Sequence, residues 1–483
     1  MKIKVQLVIE SENGNFSQIE KVAEWQREEP LQPSTLGLTL AESKQLLGNI
    51  QKTLVNEQIN QYQQKRSLCP DCGKKLLRKG KHSLTYRTLF GTLKLDSIRL
   101  FHCKCKRREQ KSFSPLATLL TERTAPERLY LESKFASLMS YGLTVKLLEE
   151  VLPLEGKLNP ASVRNHLHSL AQRVEDELGE EEFMYADGCE NEWRELPQPD
   201  LPITVGIDGG YIHSCSSSRQ PNKPKEWFEV IVGKSITDAG DIKCFGGVAS
   251  YDEKPKRRLF EVLKSQGMQM NQQVTFLSDG GDNVRQLQLY LNPQAEHLLD
   301  WFHITMRFTV MNQMAKSPHI KPKLRKKLLK KLESIKWYIW HGNVVEAEQE
   351  IELLADLAYS DEKDKAASSL NKLLKKVEEF QSYIWKNANF IPNYGERYRY
   401  GETIASSFVE STVNQVISKR FVKKQQMRWS KKGAHLLLQI RNLVLNQELR
   451  QRIDNWYGGA KFKMIVQKKT CPKRADLGQV LYH

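Results

Sequence analysis

The chain has 483 residues, 40% hydrophobic and 27% charged, an ordinary globular balance that leaves room for roughly two to four domains and excludes wholesale disorder. Lys and Arg number 74 against 57 Asp and Glu, a net charge of +17, which implies a polyanionic partner, either nucleic acid or an anionic membrane surface. The membrane is disfavoured, because no stretch approaches the ~18 continuous apolar residues of a spanning helix.

The segment MKIKVQLVIESENG alternates like a strand and lacks the apolar block of a signal peptide. Eight cysteines, four of them clustered, fit a reducing cytoplasm better than a disulfide framework. Residues 38–66 read as a long polar helix, so that 1–66 forms an N-terminal strand and helical arm.

Residues 67–112 alternate like a β-hairpin around Gly91 and carry Cys69-Pro-Asp-Cys72 and Cys103-Lys-Cys105. A Cys-x-x-Cys turn grips one side of a tetrahedral ion, and four thiolates close a structural zinc site. Cys-x-Cys is a less common spacing, and His82 or His102 would serve in place of one thiolate. Cys189, Cys215, Cys244 and Cys471 follow no spacing and read as ordinary free thiols. Residues 65–111 hold 15 Lys and Arg against 3 acids, so this zinc-ribbon-like module is expected to touch DNA.

Residues 113–178 are helical in pattern. A helix over 145–152 ends at Pro153, and a second opens with Asn159 as cap and Pro160 at its first position. Arg164, Asn165 and His168 share one face of that second helix, as a DNA-reading helix-turn-helix requires. A plain helical hairpin explains the same pattern. Residues 175–195 then hold 10 acids and one Arg, an acidic connector that closes the region 113–195 before a proline-marked boundary near 196–202.

Strands alternate with helices over 203–303, an α/β signature. Asp208 ends the apolar run PITVGID and Asp279 ends VTFLSD, each followed by Gly-Gly. An acid directly after a buried strand stands at the carboxyl edge of a sheet with open space beside it, where two aspartates can share hard cations. A solvated D-G turn is the alternative for either one taken alone. Residues 304–400 revert to helix, including the basic KPKLRKKLLKKLESIKWYIW. A helix over 403–420 places Ser406, Glu410 and Asn414 on one polar stripe bordering an apolar face, which leans Glu410 toward the two aspartates. The cations Lys419, Arg420, Lys423, Lys424, Arg428, Lys431 and Lys432 follow, placed to hold a phosphate backbone. A second helix is expected over 431–450 and a basic tail over 451–483.

The segments VGIDGGYI, FLSDGGDNVRQL, DWFHITMR and SSFVESTVNQVISKRFVKKQQMRWSKKGAHLLLQIR resemble ISKra-type bacterial insertion-sequence transposases, within the Mutator-like DDE superfamily. The resemblance covers about 200 to 445. It implies a multi-domain α+β chain: zinc-ribbon-like and helical DNA-binding modules, then a ribonuclease H-like core (196–303 and 401–450) interrupted by an all-helical insertion. It implies a catalytic triad of Asp208, Asp279 and Glu410 binding Mg²⁺ or Mn²⁺, and it maps an Asp-x-x-His motif near the active site onto Asp300 and His303. The 131 residues between Asp279 and Glu410 leave space for the insertion. The expected activity is cleavage of transposon ends and joining of 3′-hydroxyl ends to target DNA, by at least a homodimer on double-stranded DNA. A nuclease of the same fold without strand transfer, or a zinc-ribbon DNA-binding regulator with structural carboxylates, are the rival expectations.

Overall fold

The structure, a computed structural model, describes the chain outside residues 11–16, 28–29, 31, 106–110, 155, 157, 182–201, 216–225, 270, 282–286, 288–294, 360–366, 407–410, 423–427 and 459–483. It is a multi-domain α+β chain containing a mixed sheet. None of the described helices is long and apolar enough to cross a membrane.

The alternating amino terminus forms β1 (Lys2–Glu10), paired antiparallel with β2 (Ser17–Gln26), a strand whose weaker alternation gave no signal in the sequence. Helix α1 (Leu40–Arg66) starts at a capping box in which Thr39 and Glu42 satisfy each other's backbone N–H groups. Strands β3 (Arg78–Thr88), β4 (Gly91–Phe101) and β5 (Ser112–Phe113) make an antiparallel sheet. Ile59 of α1 closes onto Leu84, Leu93 and Leu95 of that sheet. After a short α2 (Pro115–Leu119) come α3 (Pro126–Leu138), α4 (Tyr141–Val151) and α5 (Pro160–Glu177), the last capped by the Asn159 side chain on the Ala161 N–H at 2.8 Å.

The central sheet holds β6 (Ile203–His213), β7 (Trp227–Ile236), β8 (Ile242–Val248), β9 (Val274–Ser278) and β10 (Glu296–Leu299), with α6 (Pro255–Ser265) between β8 and β9. Its order is β10-β9-β6-β7-β8: β6, β7 and β8 are paired antiparallel in succession, while β9 and β10 run parallel to β6. The alternation of β6 divides its side chains between two cores. Ile203, Val205 and Ile207 pack with Leu259 and Leu263 of α6. Ile212 packs on the other face with Val230, Val232, Val416, Ile417 and Leu437.

Between β10 and the last elements lies an all-helical stretch with its own core of Phe308, Leu332, Ile351, Leu373 and Phe380. It comprises α7 (Trp301–Ala315), α8 (Pro322–Trp340), α9 (Val344–Tyr359), α10 (Ala367–Lys386) and α11 (Tyr394–Arg399). The chain then departs from expectation. Residues 402–405 are not helical, Ser406 lies in a turn, and the next described residues, 411–413, are helical and widen to a π-helix over Asn414–Val422. Ser406 therefore does not share a helical stripe with Asn414. The expected helix over 431–450 is two, α12 (Lys431–Leu445) and α13 (Leu449–Tyr457), broken where Gln447 takes φ +61°.

Helix α12 packs on β8, α5 and α3 together. One continuous apolar core thus contains Leu129 of α3, Leu148 of α4, Leu167 of α5, Val232 of β7 and Leu437 of α12. The helices before the acidic connector and the sheet after it share that core.

Candidate active site and cysteine centre

The last parallel pair between β6 and β9 is Gly206 with Leu277, and two residues beyond it each strand places an aspartate, Asp208 and Asp279. Pairing with β9 stops there, but β6 itself continues antiparallel to β7 as far as His213. Asp208 therefore lies within the strand rather than at its end. Asp279 begins a turn in which its Oδ1 accepts the Gly281 N–H at 3.1 Å, and Asp208 Oδ1 accepts the Gly209 N–H at 2.7 Å. Burial pushes the Asp208 carboxyl above the usual range; His303 and the Gly209 N–H oppose that, and nearby Asp279 and Asp300 push it further. Like charges converging on one spot are what a cation relieves.

The Gly-Gly steps do more than leave space. A Cβ on Gly210 would lie 2.7 Å from Ile417 Cδ1, so the glycine lets the π-helix lie directly on β6. Gly280 takes φ +85°, and a Cβ there would lie 2.3 Å from the Asn387 side chain at the end of α10. Both Gly-Gly steps after the aspartates, one inside β6 and one in the turn after β9, are thus held against other elements.

Asp300 caps α7, its Oδ1 accepting the N–H of Phe302 at 2.9 Å. The same Oδ1 accepts the Ser406 N–H at 2.9 Å, and Oδ2 accepts the Ser406 hydroxyl. Asp300 is fully buried, so its role is to pin the segment leading to Glu410 onto the start of α7. His303, one turn into α7, sets Nε2 3.5 Å from Asp300 Oδ2 and 4.0 Å from Asp208 Oδ1. The structure thus gathers Asp208, Asp279, Asp300 and His303 into one patch; Glu410 lies outside the described residues. Asn387 gives no signal in the sequence, and Ser406 reads there only as part of a polar helical stripe; their contacts across the fold reveal both.

The expected DNA-contacting residues divide. Arg164 and Asn165 are exposed on α5, and Lys431 and Lys432 are exposed at the start of α12. His168 is half-buried where the two helices meet, 3.9 Å from the Cβ position of Gly433, and its pKa is lowered by burial and by Arg164 and Lys432. Two sets of cations 267 residues apart in sequence, Arg164 and Lys431, therefore form one surface patch. Lys419 and Arg428 are exposed, while Lys423 and Lys424 lie outside the described residues. Arg420 is a correction. It is wholly buried between the Tyr141 and Trp429 rings, and its Nε donates to the Ala136 carbonyl at 3.0 Å. It cannot reach a phosphate. Arg441 does similar structural work, donating to the carbonyls of Val416, Ser137 and Gln415. Burial lowers both guanidinium pKa values to about 10.

A second acid cluster joins Glu175, Asp252 and His435 within 4.8 Å of one another. The buried guanidinium of Arg258 bonds Asp252 at 2.9 and 3.0 Å, Glu175 at 3.0 Å and Gln439 at 2.7 Å. The positive charge these acids need is already supplied by a side chain, so the cluster is a polar tie between α5, α6 and α12. Burial disfavours the Glu175 charge, but His435 and Arg258 hold its carboxyl at about 2.

In the small sheet, the Sγ atoms of Cys69, Cys72, Cys103 and Cys105 lie within 4.8 Å of one another. Cys69 and Cys105 are 3.6 Å apart, and Cys72 and Cys103 are 3.5 Å apart. These are far beyond the ~2.05 Å of a disulfide. They match the spacing of about 3.8 Å between ligands placed tetrahedrally at about 2.3 Å from one zinc. Gly73 at φ +70° turns the chain so that its N–H bonds the Cys69 carbonyl at 2.9 Å. His102 stacks on Phe113 with ring centroids 4.5 Å apart, and neither it nor His82 belongs to the sulfur cluster. The donor set fits a closed structural zinc site.

No family model and no curated protein matches the chain. Among solved structures, the Drosophila P element transposase strand transfer complex is similar at 10% identity, over 70% of this chain and 82% of that one, with a TM-score of 0.22. A likeness that slight carries no argument.

Proposed function

We propose that the protein is a DNA transposase of the ISKra type, cutting element ends and joining the freed 3′-hydroxyls to target DNA on a ribonuclease H-like core. The observation that carries this reading is the level pair Asp208 and Asp279, side by side where the parallel pairing of β6 and β9 ends, with His303 within 4.0 Å of Asp208. The strand order, with three antiparallel strands followed by two parallel to the first, supports a ribonuclease H-like core, and the all-helical stretch before the Glu410 segment supports the insertion. Asp208, Asp279 and Glu410 would hold magnesium or manganese, whose chemistry there is polarisation of a phosphate oxygen and a lowered pKa for the attacking hydroxyl.

In the first step water attacks the phosphorus at the element end, and the bond to the 3′ oxygen breaks to leave a 3′-hydroxyl. In the second that hydroxyl attacks a target phosphate, and the target's own 3′ oxygen leaves. His303 stands beside Asp208, where its Nε2 can bond a phosphate oxygen or take up the attacking group's proton. Asp300 bonds Ser406, four residues before Glu410. The cysteine cluster would bind zinc, and the patch of Arg164, Asn165, Lys431 and Lys432 would lie on the duplex with Lys419 and Arg428. A homodimer or larger assembly is proposed because two ends must be joined.

Strand-cleavage and strand-transfer assays on duplexes carrying the element's terminal repeats test the reading. Wild type should release 3′-hydroxyl ends and join them to target only with Mg²⁺ or Mn²⁺, and Asp208→Asn, Asp279→Asn and Glu410→Gln should each lose both steps by at least about 10³-fold. Cleavage without joining would instead mark a nuclease. Equal products from wild type and Glu410→Gln would remove the catalytic assignment.

A further inference from the structure

Helix α8 carries Lys323, Arg325, Lys326, Lys327, Lys330, Lys331 and Lys336 against a single acid, Glu333. Its neighbour α9 is the opposite, with Glu346, Glu348, Glu350, Glu352 and Asp356 and no Lys or Arg. The two helices pack together. If their charges existed to hold that hairpin closed, the lysines of α8 would turn toward α9. Only Lys331 does so among the described residues, meeting Glu350 at 2.6 Å.

The others are arranged differently. At about 100° per residue, Lys323, Lys326, Lys327, Lys330, Ser334, Trp337 and His341 fall within one stripe. The buried side of α8, Leu328, Leu332, Ile335 and Ile339, lies diametrically opposite. Lys323, Lys326, Lys327 and Lys330 are exposed, and none has a carboxylate within ion-pair distance among the described residues. The one acid of α8, the exposed Glu333, lies at the edge of the stripe, about 20° round from Lys326. An ordinary solvated helix face mixes both signs, as α10 does where Lys376 pairs with Glu379 at 2.6 Å. Near its far end the stripe carries Trp337, 54% exposed and stacked on His341 with centroids 6.1 Å apart. A large aromatic ring turned to water opposite a helix's buried side is what a partner-contacting surface presents.

We infer that this face of α8 is a second double-stranded DNA contact, tracking a phosphate backbone with Lys323, Lys326, Lys327 and Lys330 and meeting it at the far end with Trp337. The occupant follows from charge: four unpaired cations in a row complement a regularly spaced polyanion, and the stripe from Lys323 to His341 spans about 27 Å at about 1.5 Å per residue, comparable to one turn of B-DNA at about 34 Å. Because α8 packs on α7, the helix that starts at Asp300 and bears His303, a duplex lying on this face belongs to the same DNA–protein complex as the carboxylates. The inference rests on the proposed DNA-directed activity. It assigns the contact to the helical stretch, away from both the cysteine module and the α5–α12 patch.

The test uses the full chain and a duplex of arbitrary sequence, measuring affinity across a range of KCl concentrations. Replacing the four lysines together (K323Q, K326Q, K327Q and K330Q) should lower the slope of log affinity against log salt by about 2 to 4, at about 0.9 for each phosphate no longer neutralised. Affinity near 100 mM salt should fall at least about tenfold, and Trp337→Phe should abolish most of the DNA-induced change in tryptophan fluorescence. Lys372→Gln with Lys375→Gln, exposed on α10, should leave the slope unchanged. A quadruple variant with the wild-type slope, or a control whose slope drops equally, overturns the contact. Failure of the underlying activity would look different: wild type would bind the arbitrary duplex with the predicted slope yet cut no duplex carrying the terminal repeats when Mg²⁺ is supplied. Wild type that fails to bind duplex at all would overturn both.

Discussion

The cysteine centre and the carboxylate centre both gather ligand-type side chains, yet they are assembled in opposite ways. The cysteines come from two short turns, 36 residues apart at most, joined by one hairpin. Their sulfurs stand at metal-ligand spacing against a small apolar cluster of Leu76, Leu100 and Phe113. The carboxylates Asp208 and Asp279 are separated by 71 residues, and they are brought together by strand order, with clamps at Gly210, Gly280 and Asp300. A small module with a thin core leans on its metal for its fold; a site built on a sheet has its fold in place before any metal arrives.

That contrast can be broken by removing metals. Stripping zinc, or making Cys103→Ser, should unfold residues 67–113, a decrease on the order of 10 kcal/mol in folding free energy for that module, seen as disappearing hydrogen-exchange protection in β3 and β4. Removing magnesium should leave exchange protection in β6 and β9 in place and lower melting only by the small amount that a bound cation's relief of the carboxylates supplies. Protection in β3 and β4 that survives chelation would end the distinction.

The carboxylate side is sharpened by Asp300→Ala, which leaves the N–H groups of Phe302 and Ser406 and the Ser406 hydroxyl without their buried acceptor. The expected cost is about 3 kcal/mol in denaturant unfolding, together with loss of Mg²⁺-dependent cleavage, although Asp300 needs to touch neither metal nor DNA. Ser406→Ala, which removes one of those donors, should lose less. If Asp300→Ala unfolds like wild type, the pin is not one. Gly280→Ala should cost about 1 to 3 kcal/mol, because a side chain is forced into a left-handed conformation and against Asn387, and it should also slow cleavage by displacing Asp279.

The smallest effect has the opposite sign. Asp208 has a raised pKa in the folded chain, so without metal the fold holds a proton there that the unfolded chain gives up at lower pH. Stability is therefore unaffected well below the usual carboxylate range and falls as pH rises through the raised pKa. Asp208→Asn should remove that fall and melt a few degrees higher than wild type at neutral pH in chelator, while being inactive. An unchanged or lower melting temperature would show that burial and the neighbouring Asp279 and Asp300 do not hold the Asp208 carboxylate at a cost.

Much of this was legible in the sequence because it was local. Cys69-x-x-Cys72 and Cys103-x-Cys105 announce their geometry within each turn, and Asp208 and Asp279 stand at the end of apolar runs whose period marks strands. The rest was not, because it lies in contacts between distant residues. Ser406 reads as one more polar position on a helix until Asp300, 106 residues earlier, is seen to bond it. Arg420 sits in a run of cations and looks like its neighbours Lys419 and Lys423; only packing against Tyr141 and Trp429 takes it out of water. Glu181, read as part of an acidic linker, accepts the N–H groups of Lys256 at 3.0 Å and Arg257 at 3.4 Å and so caps α6. Composition reports how much charge a segment holds, whereas tertiary contact decides which of it faces solvent.

Arg420 and Arg441 bear on how such a chain can be inherited. Each guanidinium, carried after the sheet, is satisfied by backbone carbonyls of α3, before it. A fragment ending in the acidic connector would leave those carbonyls bare, and a fragment beginning there would bury two cations with part of their acceptors gone. Exchange of amino-terminal halves between related chains at that convenient-looking seam would therefore yield misfits, unless the helices travel with the π-helix and α12. Lineages of this protein should accordingly diversify by substitution on the exposed faces of α5 and α8, with the two halves descending together.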